Sequence, residues 1–221
     1  MARKRGLDHD HVINAGFTVI DRDGVERVSL RAVADLLDVQ PPSLYSHVAG
    51  LGGLLDDLAI AATADFGETL RASAVGIAGD DAVRAFATAY RGWAQTHPGR
   101  YDLTLRTVAG SERKSAGIGA VETMDAILAH YGLTDHDARR AGRALRASLH
   151  GFVTLQAADA LGRGDHDASF DALVELFLDG LRARVATGRG RAGVRPGCQG
   201  RAARRWRPDR CLVRQPPCPP P

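Results

Sequence analysis

Ser29-Leu-Arg-Ala-Val-Ala-Asp-Leu-Leu-Asp-Val-Gln-Pro-Pro-Ser-Leu-Tyr-Ser-His-Val48 places two short helical patterns on either side of a turn. Ser29 suits the N-cap of a helix through Leu37, because its hydroxyl can accept from an unpaired first-turn N–H. Leu30, Val33, Ala34 and Leu37 share one face of that helix. Val39 starts the turn. Pro41 and Pro42 have no N–H to donate and fit a helix entry rather than its interior, which predicts a third short helix over Ser43 to Val48 with Leu44 and Val48 turned inward. Upstream, Val12, Ile13, Ala15, Gly16, Val19 and Ile20 recur near the helical period from about Asp10 to Arg22, and Gly24 can end that helix in a left-handed conformation. Downstream, Gly50, Gly52 and Gly53 precede Leu54, Leu55, Leu58 and Ala61, a fourth helix reaching about Ser73.

The rest of the chain keeps the same period. Asp80 or Asp81 opens a helix carrying Val83, Phe86, Ala87, Tyr90 and Trp93 that stops at His97, since a residue before proline is pushed out of the helical region. Pro98 starts the next, with Tyr101, Leu103, Leu105 and Val108. A helix from about Ser115 to Tyr131 ends at Gly132, and Thr134 with Asp137 makes a capping-box-like start for a long one striped by Ala141, Leu145, Leu149, Phe152 and Leu155. Gly162 and Gly164 break it before a last stripe of Phe170, Leu173, Val174, Phe177, Leu178 and Leu181. The fold class expected is all-α, about nine helices and no sheet.

Net charge is +3 over 221 residues, but it divides unevenly: from Arg182 onward there are eleven arginines and one acid, so that residues 1 to 181 carry −7. Cys198, Cys211 and Cys218 all lie in this last part, which denies the preceding 197 residues any disulfide or thiolate metal site. After Ala186 the chain turns to Gly, Arg and Pro, too poor in apolar residues to offset the entropy of ordering, and disorder is expected over 187–221. A basic tail can add non-specific affinity for DNA through counterion release; the other reading is an unselected extension. No stretch approaches the roughly 20 apolar residues of a membrane span, and the Met-Ala-Arg-Lys-Arg start lacks an apolar signal core, so a cytoplasmic location is expected.

Two short helices across a tight turn, with a third before them, form the minimal unit that lays a recognition helix, here Pro42 to His47, in a major groove about 12 Å wide. The run from Ser29 to Val48, followed by Leu54-Leu-Asp-Asp-Leu-Ala59, resembles the DNA-binding signature of the TetR family of transcriptional regulators: Ser29, Arg31, Val33, Ala34, Val39, Pro42, Ser43, Leu44, Tyr45, His47, Leu54 and Leu55 all fall at its spacing. The resemblance implies DNA contacts from Ser29, Arg31, Gln40, Pro41, Pro42, Ser43, Tyr45 and His47. Arg31 can reach a guanine edge or a phosphate, and Ser43 offers hydroxyl and N–H to a phosphate in the first turn. Tyr45 and His47 suit backbone contacts, or else half-buried packing. Where many members have a lysine at the start of the fourth helix, this chain has Leu51, Gly52 and Gly53. Through Ile60 there are six basic residues against nine acids, so binding would rest on local features such as the Arg3-Lys4-Arg5 arm.

Ala89-Tyr-Arg-Gly-Trp-Ala94, His97-Pro-Gly-Arg-Tyr101, Leu149-His-Gly-Phe152 and Leu176-Phe-Leu-Asp-Gly-Leu181 resemble the WHG-type C-terminal domain of the same family. The organisation implied is a head over 1–60, a helical ligand-binding and dimerisation domain over 61–186, and the tail. Phe86, Tyr90, Trp93, Tyr101, Leu105, Met124, His150 and Phe152 are candidates to line a pocket for a small-molecule inducer, though an aromatic stripe also reads as plain core. Leu149, Phe170, Leu173, Val174, Phe177 and Leu181 are candidates for a homodimer interface, the alternative being closure of the protomer's own core. A two-fold dimer would present two recognition helices about 34–36 Å apart to a double-stranded operator. Enzyme readings find no support: Gly110 to Ser115 fails the phosphate-loop spacing, no GxSxG or HExxH occurs, and His9 and His11 turn to different helix faces, so neither a metal site nor a cofactor is expected. The rival is a helical ligand-binding or scaffold protein without sequence-specific DNA binding.

Overall fold

The computed structural model of the chain describes residues 7–108 and 112–191; the Arg3-Lys4-Arg5 arm, the Gly110-Ser111 pair and residues 192–221 of the tail lie outside the described residues. Among the described residues every regular element is helical: α1 (His9–Asp23), α2 (Leu30–Leu37), a six-residue 3-10 helix (Pro41–Ser46), α3 (Gly50–Ser73), α4 (Gly79–Thr96), α5 (Pro98–Leu103), α6 (Glu112–Ala129), α7 (Asp135–Ala157) and α8 (His166–Arg191), with one further 3-10 turn at Val25–Arg27. No helix among them is long and apolar enough to cross a membrane.

Local chemistry explains most of the helix ends. Asp8 caps α1 by accepting from the His11 N–H at 2.9 Å, Ser29 caps α2, and Thr134 caps α7 by accepting from the Asp137 N–H. Gly24 closes α1 at φ 87° and ψ 164°, a positive-φ conformation outside the left-handed helical well that was expected there and one that only glycine adopts freely. Pro98 starts α5 directly after His97 ends α4. The last helix runs to Arg191, five residues past the boundary drawn at Ala186.

In the head, Val12, Val19, Ile20, Val33, Ala34, Leu44, Val48, Leu54 and Leu58 share one buried core. A Cβ added at Gly16 would stand 2.9 Å from the Leu58 side chain, so α1 and α3 approach as closely as their side chains permit. The boundary expected at residue 60 falls inside α3, which supplies Leu54 and Leu58 to the head and Leu70 to the body core. In the body, α3 and α4 pack with α6 and α7, and α8 closes over α4 and α7.

Head and body are tied at two further points. Arg100 of α5 grips Asp21 of α1, its Nε donating at 2.9 Å, while its guanidinium lies 4.3 Å from the Phe17 ring centroid. Beside it, a Cβ on Gly99 would stand 2.7 Å from Ile20, so α5 meets α1 almost backbone to side chain. Arg106, just beyond α5, donates to Asp56 of α3 at 2.8 Å.

Candidate nucleic-acid interface and body cavity

The turn of the head motif is set one residue earlier than the sequence implied. Asp38 takes the left-handed conformation at φ 52°, which Asp tolerates better than most side chains, and the Val39 N–H reaches back to the Ala34 carbonyl at 3.1 Å to close α2. Ser29 at the other end accepts from the Ala32 N–H at 3.1 Å, so its hydroxyl already serves as a cap.

The recognition segment is a 3-10 helix over Pro41–Ser46, with His47 at its C-cap, instead of the expected helix over Ser43 to Val48. The two leading prolines bring no N–H, and the bonds from the Ser43 N–H to the Gln40 carbonyl and from the His47 N–H to the Leu44 carbonyl span three residues, although six residues is longer than most 3-10 runs. The Ser43 N–H donates to the Gln40 carbonyl at 2.9 Å, which takes it away from the phosphate role foreseen for it and leaves the hydroxyl. Leu44 and Val48 are buried in the head core, as their pattern required. Gln40, Pro42, Ser43 and Tyr45 are exposed, while Pro41 and His47 are half-buried.

Tyr45 and Arg31 stand out. Tyr45 is 63% exposed, which disposes of a packing role for its ring. The Arg31 side chain is 86% exposed, and the carboxylate it faces, Asp35, is 3.9 Å away, at the limit of an ion pair. Among the described residues of the head, then, a phenol and a guanidinium sit in solvent with almost no intramolecular work. His9 and His11, rejected above as a metal pair, each face a different carboxylate: Asp57 at 3.1 Å and Asp8 at 2.8 Å.

In the body, a cavity of about 750 Å3 opens between α3, α4, α6, α7 and the segment after α5. Phe86, Tyr90, Leu105 and Met124 line it as expected. Trp93, Tyr101, His150 and Phe152 do not. Trp93 packs 4.8 Å from Phe66 and donates its indole N–H to Asp65 at 3.1 Å; Phe152 lies edge-on to Phe170 at 5.2 Å beneath the Arg91 guanidinium. Tyr101 stands behind Tyr90, their hydroxyls 2.8 Å apart, and its oxygen is also 2.7 Å from His150 Nδ1. Burial drives the phenol of Tyr101 up, and that of Tyr90 likewise, so both remain protonated donors. The sequence missed Phe66, Leu70, Thr104, Asp125 and three arginines of α7, Arg139, Arg143 and Arg146, all on the cavity wall. Arg143 and Arg146 had a readable signal, having no acid within one helical turn on either side.

The candidate dimer residues divide. Leu149, Phe170, Val174 and Leu181 are buried inside the protomer's own core, which is the alternative that the sequence left open, whereas Leu173 and Phe177 are half-buried. The apolar surface left outside comes from residues not chosen: Leu176 is 74% exposed and Leu155 is also exposed. On α8, Ala172, Leu176 and Gly180 follow at four-residue spacing and are all exposed, an apolar line of small residues around one leucine.

Comparison with known proteins agrees with this architecture. Residues 83–177 match the family model described as the tetracyclin repressor-like C-terminal domain. An uncharacterised HTH-type transcriptional regulator of Mycobacterium tuberculosis, Rv0681, is 34% identical over 191 residues, covering 85% of this chain and 88% of the relative. The class A tetracycline repressor from transposon 1721 of Escherichia coli is 27% identical, with 86% of this chain and 98% of that protein covered. Among solved structures, a protein of unknown function from Rhodococcus sp. RHA1 shares the fold with a TM-score of 0.71 at 24% identity, covering 82% of this chain and 99% of the other.

Proposed function

The chain belongs to the TetR family of helix-turn-helix transcriptional regulators, and from that membership we propose that it is a homodimeric repressor, released from its operator when a small molecule enters the body cavity. It is a DNA-binding regulator. The finer reading assigns the DNA contacts to Arg31, Gln40, Pro41, Pro42, Ser43, Tyr45 and His47, with Ser29 acting mainly by capping the helix that carries Arg31. It divides the chain into a head ending within α3 and a body from there through α8, working in the cytoplasm without chemistry of its own.

The observation that carries the reading is the exposure of Tyr45 and Arg31 on a motif whose Leu44 and Val48 are committed to the core. A phenol held in solvent within the segment meant for a groove is free to donate to a phosphate or a base edge. Repression fits a molecule whose two heads must match a fixed half-site spacing of about 34–36 Å, because any ligand that favours another spacing weakens binding. The cavity, of the size that drug-like molecules occupy, supplies the place.

Selection from random DNA with the full-length protein should recover a palindromic sequence. Arg31→Ala and Tyr45→Ala should each weaken binding to it by at least about fivefold, the lower end of what one good contact contributes. Recovery of no shared sequence would sink the operator reading and leave a helical ligand-binding or scaffold protein.

A further inference from the structure

Arginines in the body are mostly spoken for. Arg84 meets Glu175 at 2.7 Å, Arg91 meets Asp167 at 2.7 Å, Arg106 meets Asp56 at 2.8 Å, Arg140 faces Asp137 at 3.8 Å, and Arg100 and Arg182 hold Asp21 and Asp80. Arg139, Arg143 and Arg146 differ: all three line the cavity, and none is within ion-pair distance of a carboxylate among the described residues. Their spacing of four and then three residues sets them on one side of α7, where like charges repel and cost helix stability. Asp125 of α6 also lines the cavity, yet it comes within ion-pair distance of none of the three, so the wall keeps an excess of positive charge. Most of the remaining lining is apolar, with Phe66, Leu70, Phe86, Val121 and Met124 on α3, α4 and α6, beside Tyr90, three threonines and Arg106, whose charge is already met by Asp56. Low-polarity walls strengthen the attraction of a cationic cluster for an anion. The charge of Arg146 is felt inside, where it opposes the rise of the Tyr90 and Tyr101 phenols.

We infer that the cavity takes an amphipathic organic anion, its apolar body against Phe66, Leu70, Phe86 and Met124 and its negative head on Arg139, Arg143 and Arg146. The inference rests on the cavity being the inducer site. A bare inorganic anion would leave the apolar walls unused, and a neutral hydrocarbon would make no use of the three guanidinium groups, which otherwise face solvent at the cavity wall. A carboxylate, sulfonate or phosphate head on a hydrophobic chain or ring system uses both, and planar guanidinium groups match such heads by paired N–H donation.

The test compares three probes of equal chain length by calorimetric titration of the full-length protein: decanoate, 1-decanol and decyltrimethylammonium. Decanoate should bind at least about tenfold more tightly than either of the others, as expected for one charge-assisted contact or more. The double variant Arg143→Glu/Arg146→Glu, checked for unchanged helix content, should lose that preference while keeping its affinity for 1-decanol. Ala120→Trp, which fills the cavity, should abolish binding of all three. Equal affinity for decanoate and 1-decanol, with both lost in Ala120→Trp, overturns the charge assignment and leaves the cavity as a ligand site. Binding of no probe, or binding that Ala120→Trp does not change, overturns the cavity reading itself and this inference with it.

Discussion

At Tyr101 one hydroxyl serves two partners, Tyr90 and His150, across a contact between α4, α5 and α7. With Tyr101 donating to His150 Nδ1 and accepting from Tyr90, both phenol oxygens and the imidazole nitrogen of this group have a partner. Tyr101→Phe keeps the ring against Phe66 but leaves the Tyr90 hydroxyl and His150 without their shared partner. It should lower unfolding free energy in urea by about 1–3 kcal/mol; a change within a few tenths would show that water replaces the lost contacts. The sequence pointed to all three residues, but as lining of a pocket. What it could not supply was the side of each helix that meets the open space, since Tyr90 and Trp93 lie one turn apart on α4 and only Tyr90 borders the cavity. Arg143 and Arg146 were passed over because arginines on a polar helix face are normally solvated. Leu44 and Val48 were readable, because their inward placement follows from local spacing alone.

At the scale of the helix, Asp80 at the start of α4 clamps three elements. It accepts from the Tyr131 hydroxyl at 2.6 Å, beyond α6, and from Arg182 of α8. The Tyr131 hydrogen bond, then that from Arg182, holds its carboxyl below the ordinary range. A group depressed in this way stabilises the fold fully above its unfolded value, near pH 4, and progressively less as pH falls through its folded value. The difference in melting temperature between the wild type and Asp80→Asn should therefore be constant near neutrality and shrink below about pH 4. A difference that persists unchanged into strong acid would show that the carboxylate charge plays no part. Helix positions were largely legible through Ser29, Thr134, Pro98 and Gly24, whose effects are local. The 3-10 form of the recognition segment was not, because the same prolines and serine open either kind of turn. Nor was the role of Arg182, which charge counting assigned to the tail; its partner lies 102 residues earlier, a distance across which linear patterning says nothing.

The whole molecule, read as a homodimer, needs an apolar face left open by the protomer, and the line of Ala172, Leu176 and Gly180 on α8 is one. Leu176→Glu should convert the dimer to a monomer at micromolar concentration in sedimentation velocity, with helix content unchanged, because a charge set into an apolar interface stays unpaired. A wild-type chain that sediments as a monomer under the same conditions would overturn the dimer. The all-helical class and the head-on-body arrangement were both legible, one from period and the other from resemblance. The division drawn at residue 60 lies within the helix that the sequence already carried on to about Ser73, and α3 passes through that point without a break for 24 residues. Such a helix is roughly 36 Å long. Mechanically it is one stiff beam, bedded at one end against α1 and forming, at the other, a wall of the cavity. A swing of about 5° at the cavity end carries the far end through about 3 Å, and in a two-fold pair opposite swings add to about 6 Å against a groove repeat of about 34 Å. A change of angle too small to disturb the packing of the body would thus be enough to put the two recognition segments out of step with the double helix.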